Sequence, residues 1–191
     1  MRKDTLFLFG SYSIGKERIF MACAKKFNVK IYVTSTKFNL IKCFNWRHDD
    51  MKYITRDVSE TSFHVVSMGL LNFKRIGVYL ASLKKKYKRV VAIRPTGWSF
   101  GGGRYGGGGR RNSSSSNNNN NNSMYEGISS VHTTRVNNLV EVTIFGIAYS
   151  EHSSFSELQQ CVRDFKPFII KPTVNAYTKS AEEQMLMLLG S

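Results

Sequence analysis

Three short segments carry residue types that can meet a phosphate or move a proton. The first, Gly10-Ser11-Tyr12-Ser13-Ile14-Gly15-Lys16-Glu17, follows an apolar run and opens a helical pattern. Its spacing comes close to the phosphate loop GxxxxGK[ST]. There a glycine turn lets backbone N–H groups approach a phosphate, the helix N-terminus adds partial positive charge, and a lysine completes the cradle. Ser11, Tyr12, Ser13, Gly15 and Lys16 are therefore candidate phosphate-binding residues. Glu17 stands where a nucleotide hydrolase needs a hydroxyl to hold magnesium, and its carboxylate would meet the phosphate charge, so nucleotide hydrolysis is disfavoured. A purely structural strand-to-helix turn is the alternative.

The second segment, Arg94-Pro95-Thr96-Gly97-Trp98, ends a strand pattern, where open α/β sheets place their binding loops. Arg94 and Thr96 can hold a phosphate oxygen, Pro95 and Gly97 set the turn, and Trp98 either stacks a base or caps the core. The third, Tyr149-Ser150-Glu151-His152-Ser153-Ser154, again follows a strand pattern and opens a helix. A histidine placed there faces a cleft, and His152 can donate a proton to a leaving oxygen while Ser153, Ser154 and free helix N–H groups grip the phosphate. The alternative is an ordinary cap or core histidine. His48, His64 and His132 share no ligand spacing. Cys23, Cys43 and Cys161 form no CxxC pair, so structural thiols in a reducing compartment are expected.

The elements that must position these segments follow from periodicity. Strands are predicted at 5–9, 29–33, 63–67 and 89–94, the last stopping at Pro95, with helices at 14–27, 38–44 and 72–87. This alternation predicts an α/β layer with a mainly parallel sheet. Beyond it, a strand at 140–147, a helix at 155–165 and a strand at 168–170 predict a β-α-β unit, with a terminal amphipathic helix over 181–189. Residues 99–123 (SFGGGRYGGGGRRNSSSSNNNNNNS) have almost no apolar surface to offset the entropy of ordering them. They are expected to be a disordered, low-complexity loop insertion between a block at 1–98 and one at 124–191.

The net charge of +15 is unevenly divided. Residues 1–98 hold 20 Lys+Arg against 6 Asp+Glu, whereas residues 124–191 hold 5 against 7. A front block so basic, with Phe7, Tyr12, Phe20, Tyr32 and Trp46 interleaved, has the profile of a polyanion-binding surface. Solvated helix faces remain the other reading, above all for the run Lys84, Lys85, Lys86, Lys88 and Arg89, which ends a helical pattern and suits its dipole. No apolar run approaches the roughly 20 residues needed to span a bilayer, so no membrane association is expected.

GSYSIGKE, RPTGW and GIAYSEHSS, followed by PTVN at 172–175, occur in one order. In that order they resemble the DNA cross-link repair nucleases of the β-CASP branch of the metallo-β-lactamase superfamily, the Artemis/Apollo group, most of all its 5′ exonuclease branch. The likeness covers nearly everything outside 99–123. It implies that residues 1–98 form most of a β-CASP domain and that 124–191 belong to the metallo-β-lactamase and DNA repair domain. It also implies that His152 is the β-CASP histidine that positions or protonates the leaving group beside the metal. Val174 falls where RNA-acting relatives have a histidine ligand. DNA, single-stranded or damaged duplex, is the implied partner, the nucleus the implied location, and zinc the implied cofactor of the complete enzyme. The family's HxHxDH signature is not among these residues. The expectation is therefore a C-terminal portion that binds no metal by itself, is inactive alone, and partners a missing N-terminal half. A catalytically dead DNA-binding module is the competing reading, and a phosphate-loop nucleotide hydrolase is a third.

Overall fold

The computed structural model describes residues 4–97, 128–137, 139–173 and 177–189, the side chain of Ser129 excepted. Trp98, the tract 99–123, Val174 and Asn175 lie outside the described residues. The chain forms two compact units, Met1–Glu151 and His152–Ser191.

In the first unit, β1 (Thr5–Ser11), α1 (Glu17–Phe27), β2 (Ile31–Tyr32), α2 (Ser35–Cys43), α3 (His48–Met51), β3 (Ile54–Thr55) and β4 (Phe63–Ser67) come in that order. They are followed by a single 3-10 turn (Met68–Leu70), α4 (Phe73–Ser82), β5 (Arg89–Thr96), β6 (Ile128–Val136) and β7 (Val140–Ala148). Among the described residues seven strands make one sheet in the order β3-β2-β4-β1-β5-β7-β6. β1 pairs in parallel with β4 and β5, and β5 in parallel with β7, so these four strands end on one edge. Among the described strands only β6 runs antiparallel. The predicted α/β class with a mainly parallel sheet is what forms.

The alternation within β1 explains why both faces are covered. Leu6 and Leu8 face one way and pack with Val66, Ile76 of α4, Leu83, Val90 and Val142. Phe9 faces the other way and packs with Phe20, Met21 and Ala24 of α1, Ile41 of α2, and Phe63. Fully burying a side chain such as Phe20 or Ile76 stabilises by about 1.5–3 kcal/mol, which fixes each helix on its own face. α1 stops at Asn28, whose left-handed backbone (φ 49°) turns its N–H onto the Ala24 and Lys25 carbonyls. α4 starts on the Asn72 side chain, which accepts from the Arg75 N–H at 2.9 Å.

Several boundaries differ from the sequence expectation. α4 ends at Ser82 rather than near residue 87, because Leu83 turns extended and it and Tyr87 enter the core. The lysine run therefore sits on a connection, with Lys85 Nζ donating to Ser62 Oγ at 3.0 Å. β5 continues through Pro95 to Thr96. Pairing with β1 has stopped at Ile93, so the proline's missing N–H falls where β7 is the remaining neighbour.

The second unit contains α5 (Phe155–Phe165) and α6 (Lys179–Leu189). Gln159 of α5 donates from its side-chain amide to the Leu188 carbonyl at 2.8 Å. The predicted strand at 168–170 does not form, and the predicted β-α-β order of the second block is corrected. Phe168, between Pro167 and Pro172, is 99% exposed, and a strand there would have neither a buried face nor a full set of donors. The strands missed were β3, a two-residue pairing with β2, and the longer β6. The β6 sequence ISSVHTTRV is too polar to announce a buried element, because it lies on the sheet edge.

Candidate functional site

The parallel register brings the first two chemistry-bearing segments, and Tyr149 to Glu151 of the third, toward the carboxyl edge of the sheet. Thr96 is paired with Ala148, and its carbonyl accepts the Tyr149 N–H at 3.2 Å. Gly97 lies so close to Ser150 that a Cβ there would stand 3.1 Å from the Ser150 Cβ and Oγ. Arg94, half-buried, sits beside Gly146. One strand away, the turn after β1 touches the end of β7 through Lys16.

The geometry of that turn follows from its hydrogen bonds. Ser11 Oγ reaches the Tyr12 and Gly15 carbonyls, at 3.0 and 2.8 Å, and closes the loop. Lys37 of α2 reaches in from the other side. Its Nζ donates to the Tyr12 carbonyl at 3.0 Å, the Ser13 carbonyl at 2.9 Å and Glu17 Oε1 at 2.5 Å. An ammonium has three protons, so these three partners use all of its donors. The Lys37–Glu17 pair is nearly enclosed, with 9% and 12% of the two side chains exposed. Burial of two charges is tolerable because Glu17 also accepts the Gly15 N–H, at 3.0 and 2.9 Å to its two oxygens.

A second carboxylate completes the arrangement. Glu151 accepts the Lys16 N–H at 2.9 and 2.8 Å. The Lys16 side chain turns away to Tyr149, donating to its carbonyl at 3.2 Å with Nζ 5.0 Å from the ring centroid. Lys16 is buried in a left-handed conformation (φ 69°) and marks the start of α1. Gly15 has φ +109°, and a Cβ there would stand 2.6 Å from Glu151 Oε2. The amide N–H groups of Gly15 and Lys16, which the sequence reading offered to a phosphate, thus donate to Glu17 and Glu151. Both carboxylates suit the positive end of the α1 dipole. Tyr149 donates to Glu151 Oε1 at 3.3 Å, and burial, followed by the Glu151 charge, holds its hydroxyl pKa above the usual value.

His152 opens the second unit and is exposed. Ser153 is also exposed. Ser154 is the N-cap of α5 in a reciprocal capping box with Glu157: its Oγ accepts the Glu157 N–H, and its own N–H donates to Glu157 Oε2 at 2.6 Å. That backbone bond, then the Ser154 hydroxyl, holds the Glu157 carboxyl below its usual pKa. His64 is fully buried, with Nδ1 2.9 Å from the Tyr79 hydroxyl and Nε2 3.1 Å from the Thr61 carbonyl. Burial lowers its pKa. The three cysteines are free, with Cys43 and Cys161 exposed and Cys23 partly buried. Sequence reasoning missed Glu151, Lys37 and Tyr149. Glu17 had given a partial signal: its carboxylate at the last loop position argued against nucleotide hydrolysis, though the loop spacing still pointed to a phosphate site.

The family model described as DNA repair metallo-beta-lactamase matches residues 48–178, more than half of the chain. The chain belongs to the DNA repair metallo-beta-lactamase family. It is similar to the DNA cross-link repair protein SNM1 of Arabidopsis thaliana, 33% identical over 95% of this chain and 32% of that protein. The human DNA cross-link repair 1A protein is 31% identical over 97% of this chain and 15% of its own length. The pso2/snm1 cross-link repair protein of Schizosaccharomyces pombe is 28% identical over 94% and 31% respectively. This DNA repair metallo-beta-lactamase chain therefore spans about a third or less of the relatives it matches. The family implies a metal. Among the described residues no three His, Cys, Asp or Glu side chains gather as a metal ion would require, so these residues do not fit as its holder. Among them, too, no helix is long and apolar enough to cross a membrane.

Proposed function

We propose that this chain supplies the DNA-gripping, C-terminal part of a zinc-dependent 5′-to-3′ exonuclease that acts in the nucleus on interstrand cross-links and double-strand breaks. The observation that carries the reading is that the turn after β1, the end of β5 and Tyr149 to Glu151 after β7 meet on one sheet edge in a chain of this family. In this reading residues 1–98 are most of a β-CASP domain and 124–191 return to the metallo-β-lactamase domain, with Val174 at the position that separates DNA-acting from RNA-acting relatives. Zinc and its ligands then belong to sequence outside these 191 residues.

The residue roles belong to the same proposal. His152 protonates the departing 3′-oxygen. Ser153 holds the scissile phosphate, Ser154 sets the start of α5 through Glu157 rather than meeting the phosphate itself, and Ser11, Tyr12, Ser13, Arg94, Thr96, Gly97 and Trp98 meet the strand. Gly15 and Lys16 act through Glu151, the residue that immediately precedes His152 in the chain. Single-stranded or damaged duplex DNA is the substrate, and the basic residues of 1–98 supply the phosphate contacts that make binding salt-dependent.

The test has two parts. The chain alone is titrated with a single-stranded oligonucleotide at rising salt, where affinity is expected to fall with a log–log slope of about −0.7 per phosphate contacted. It is then co-expressed with the amino-terminal part of the Arabidopsis relative and given a 5′-phosphorylated strand and zinc. A 5′-to-3′ product ladder that vanishes in His152→Ala while binding persists supports the reading. Absence of binding at low salt rejects it, and binding without cleavage selects a DNA-binding module instead.

A further inference from the structure

The sheet has a topological switch point that none of the three segments was predicted to use. β1 is followed by α1, which leads past β4 to β2, while β4 is followed by α4, which leads past β1 to β5. The two helices pack on opposite faces. The carboxyl ends of β1 and β4 are thereby left with a crevice between them, which is where doubly wound sheets bind ligands. A cavity of about 540 Å³ lies there, lined by Ser11, Tyr12 and Ser13 at and just beyond the end of β1 and by Val66, Ser67 and Met68 at and just beyond the end of β4. Its volume is in the range of small-molecule sites.

The chemistry of the lining selects the ligand. Of the lining side chains only Lys37 is charged, and all three of its protons are held by Tyr12, Ser13 and Glu17. A phosphate entering the cavity would find no cation free to receive it. A flat neutral ring would find tyrosine and aliphatic faces, the adaptable Met68 thioether, and hydroxyls placed to meet polar ring edges. Tyr12 stands 58% exposed on a loop whose backbone Ser11 and Lys37 pin, so the ring is displayed from a fixed base. Outside the cavity, the exposed Arg75 lies against the Gly69 carbonyl, with Nη1 donating at 2.8 Å, so a cation stands beside the cavity lining within reach of a backbone phosphate.

We infer that the crevice between β1 and β4 receives one unpaired base of a DNA strand. The inference rests on the proposed DNA-binding role and names a contact within it. The full chain is titrated by fluorescence anisotropy with a twelve-thymidine oligonucleotide and with an abasic strand of the same length and charge. The thymidine strand is expected to bind on the order of tenfold more tightly, the stacking contribution of a base. Ser67→Phe, which fills the cavity, is expected to remove that advantage and leave the abasic strand unaffected. Equal affinity for the two strands, or a Ser67→Phe chain that keeps the advantage, overturns the inference while the DNA-binding role stands. If neither strand binds, both fall together. Photo-cross-linking of the wild-type chain to a strand carrying 5-iododeoxyuridine needs no variant. Attachment to Tyr12, Tyr32 or Tyr79 supports the inference, and attachment confined to other residues overturns it.

Discussion

Replacing Gly15 by alanine perturbs the Glu151 seat in two ways that can be separated. The backbone at φ +109° is a conformation that residues with a Cβ rarely adopt, and imposing it costs about 1–3 kcal/mol. The new methyl would also stand 2.6 Å from Glu151 Oε2, so the carboxylate must leave the Lys16 N–H. A hydrogen bond to a charged group contributes about 1.5–3 kcal/mol when shielded, and Glu151 is exposed, so about 1 kcal/mol is the fair share. The sum is about 2–4 kcal/mol. With a urea dependence of about 2 kcal/mol per molar, the unfolding midpoint should fall by about 1–2 M. Glu151→Ala alone should cost about 1 kcal/mol. Because that truncation makes room for the methyl, the double variant should be more stable than the sum of the two losses predicts, by about 1 kcal/mol. Amide exchange at Lys16, read by NMR, should accelerate in each single variant. A Gly15→Ala chain within about 0.5 kcal/mol of wild type, or a strictly additive cycle, would falsify the seat.

Two further predictions concern the core of the same unit. The His64 pKa is lowered by burial from the ordinary 6.5, so the unfolded chain takes up the proton at higher pH than the folded one. Stability is therefore complete above pH 6.5 and declines as pH falls through that value toward the folded pKa. Denaturant midpoints at pH 7.5 and 5.5 should show the decline in wild type and a smaller one in His64→Gln, and identical slopes would refute the assignment. Lys37→Ala should cost about 3–5 kcal/mol by leaving Glu17 buried without its cation, whereas Lys37→Met with Glu17→Leu should recover most of the loss. Thermal melts decide between that and simple loss of packing, which the double change would not repair.

The parallel sheet was legible because its strands, buried on both faces, are short apolar runs such as TLFLF, and the helices between them carry an apolar stripe. β6 was not, since an edge strand needs only one modest apolar face and its polar residues read as loop. The run 168–170 misled for the opposite reason: apolar character announced burial in a segment whose prolines deny it a ladder. At the site, segment order and strand ends could be read from the residues, but not their arrival at one edge, because the sequence pattern puts the strand at 140–147 in a separate β-α-β block whereas β7 pairs with β5. Glu151 could not, because a carboxylate seated 135 residues away on a helix N-terminus leaves no local pattern. Nor could Lys37, which a charge count places with the solvated lysines and the fold places between two carbonyls and a carboxylate.

The antiparallel direction of β6 has a consequence for the chain between β5 and β7. β5 ends at Thr96, opposite Ala148, and β6 begins at Ile128, opposite Ile147. The two roots of the intervening sequence thus flank a single strand, roughly 10 Å apart at two strand spacings. Material can be added there with a closure cost that grows only logarithmically, and no strand need shift to admit it.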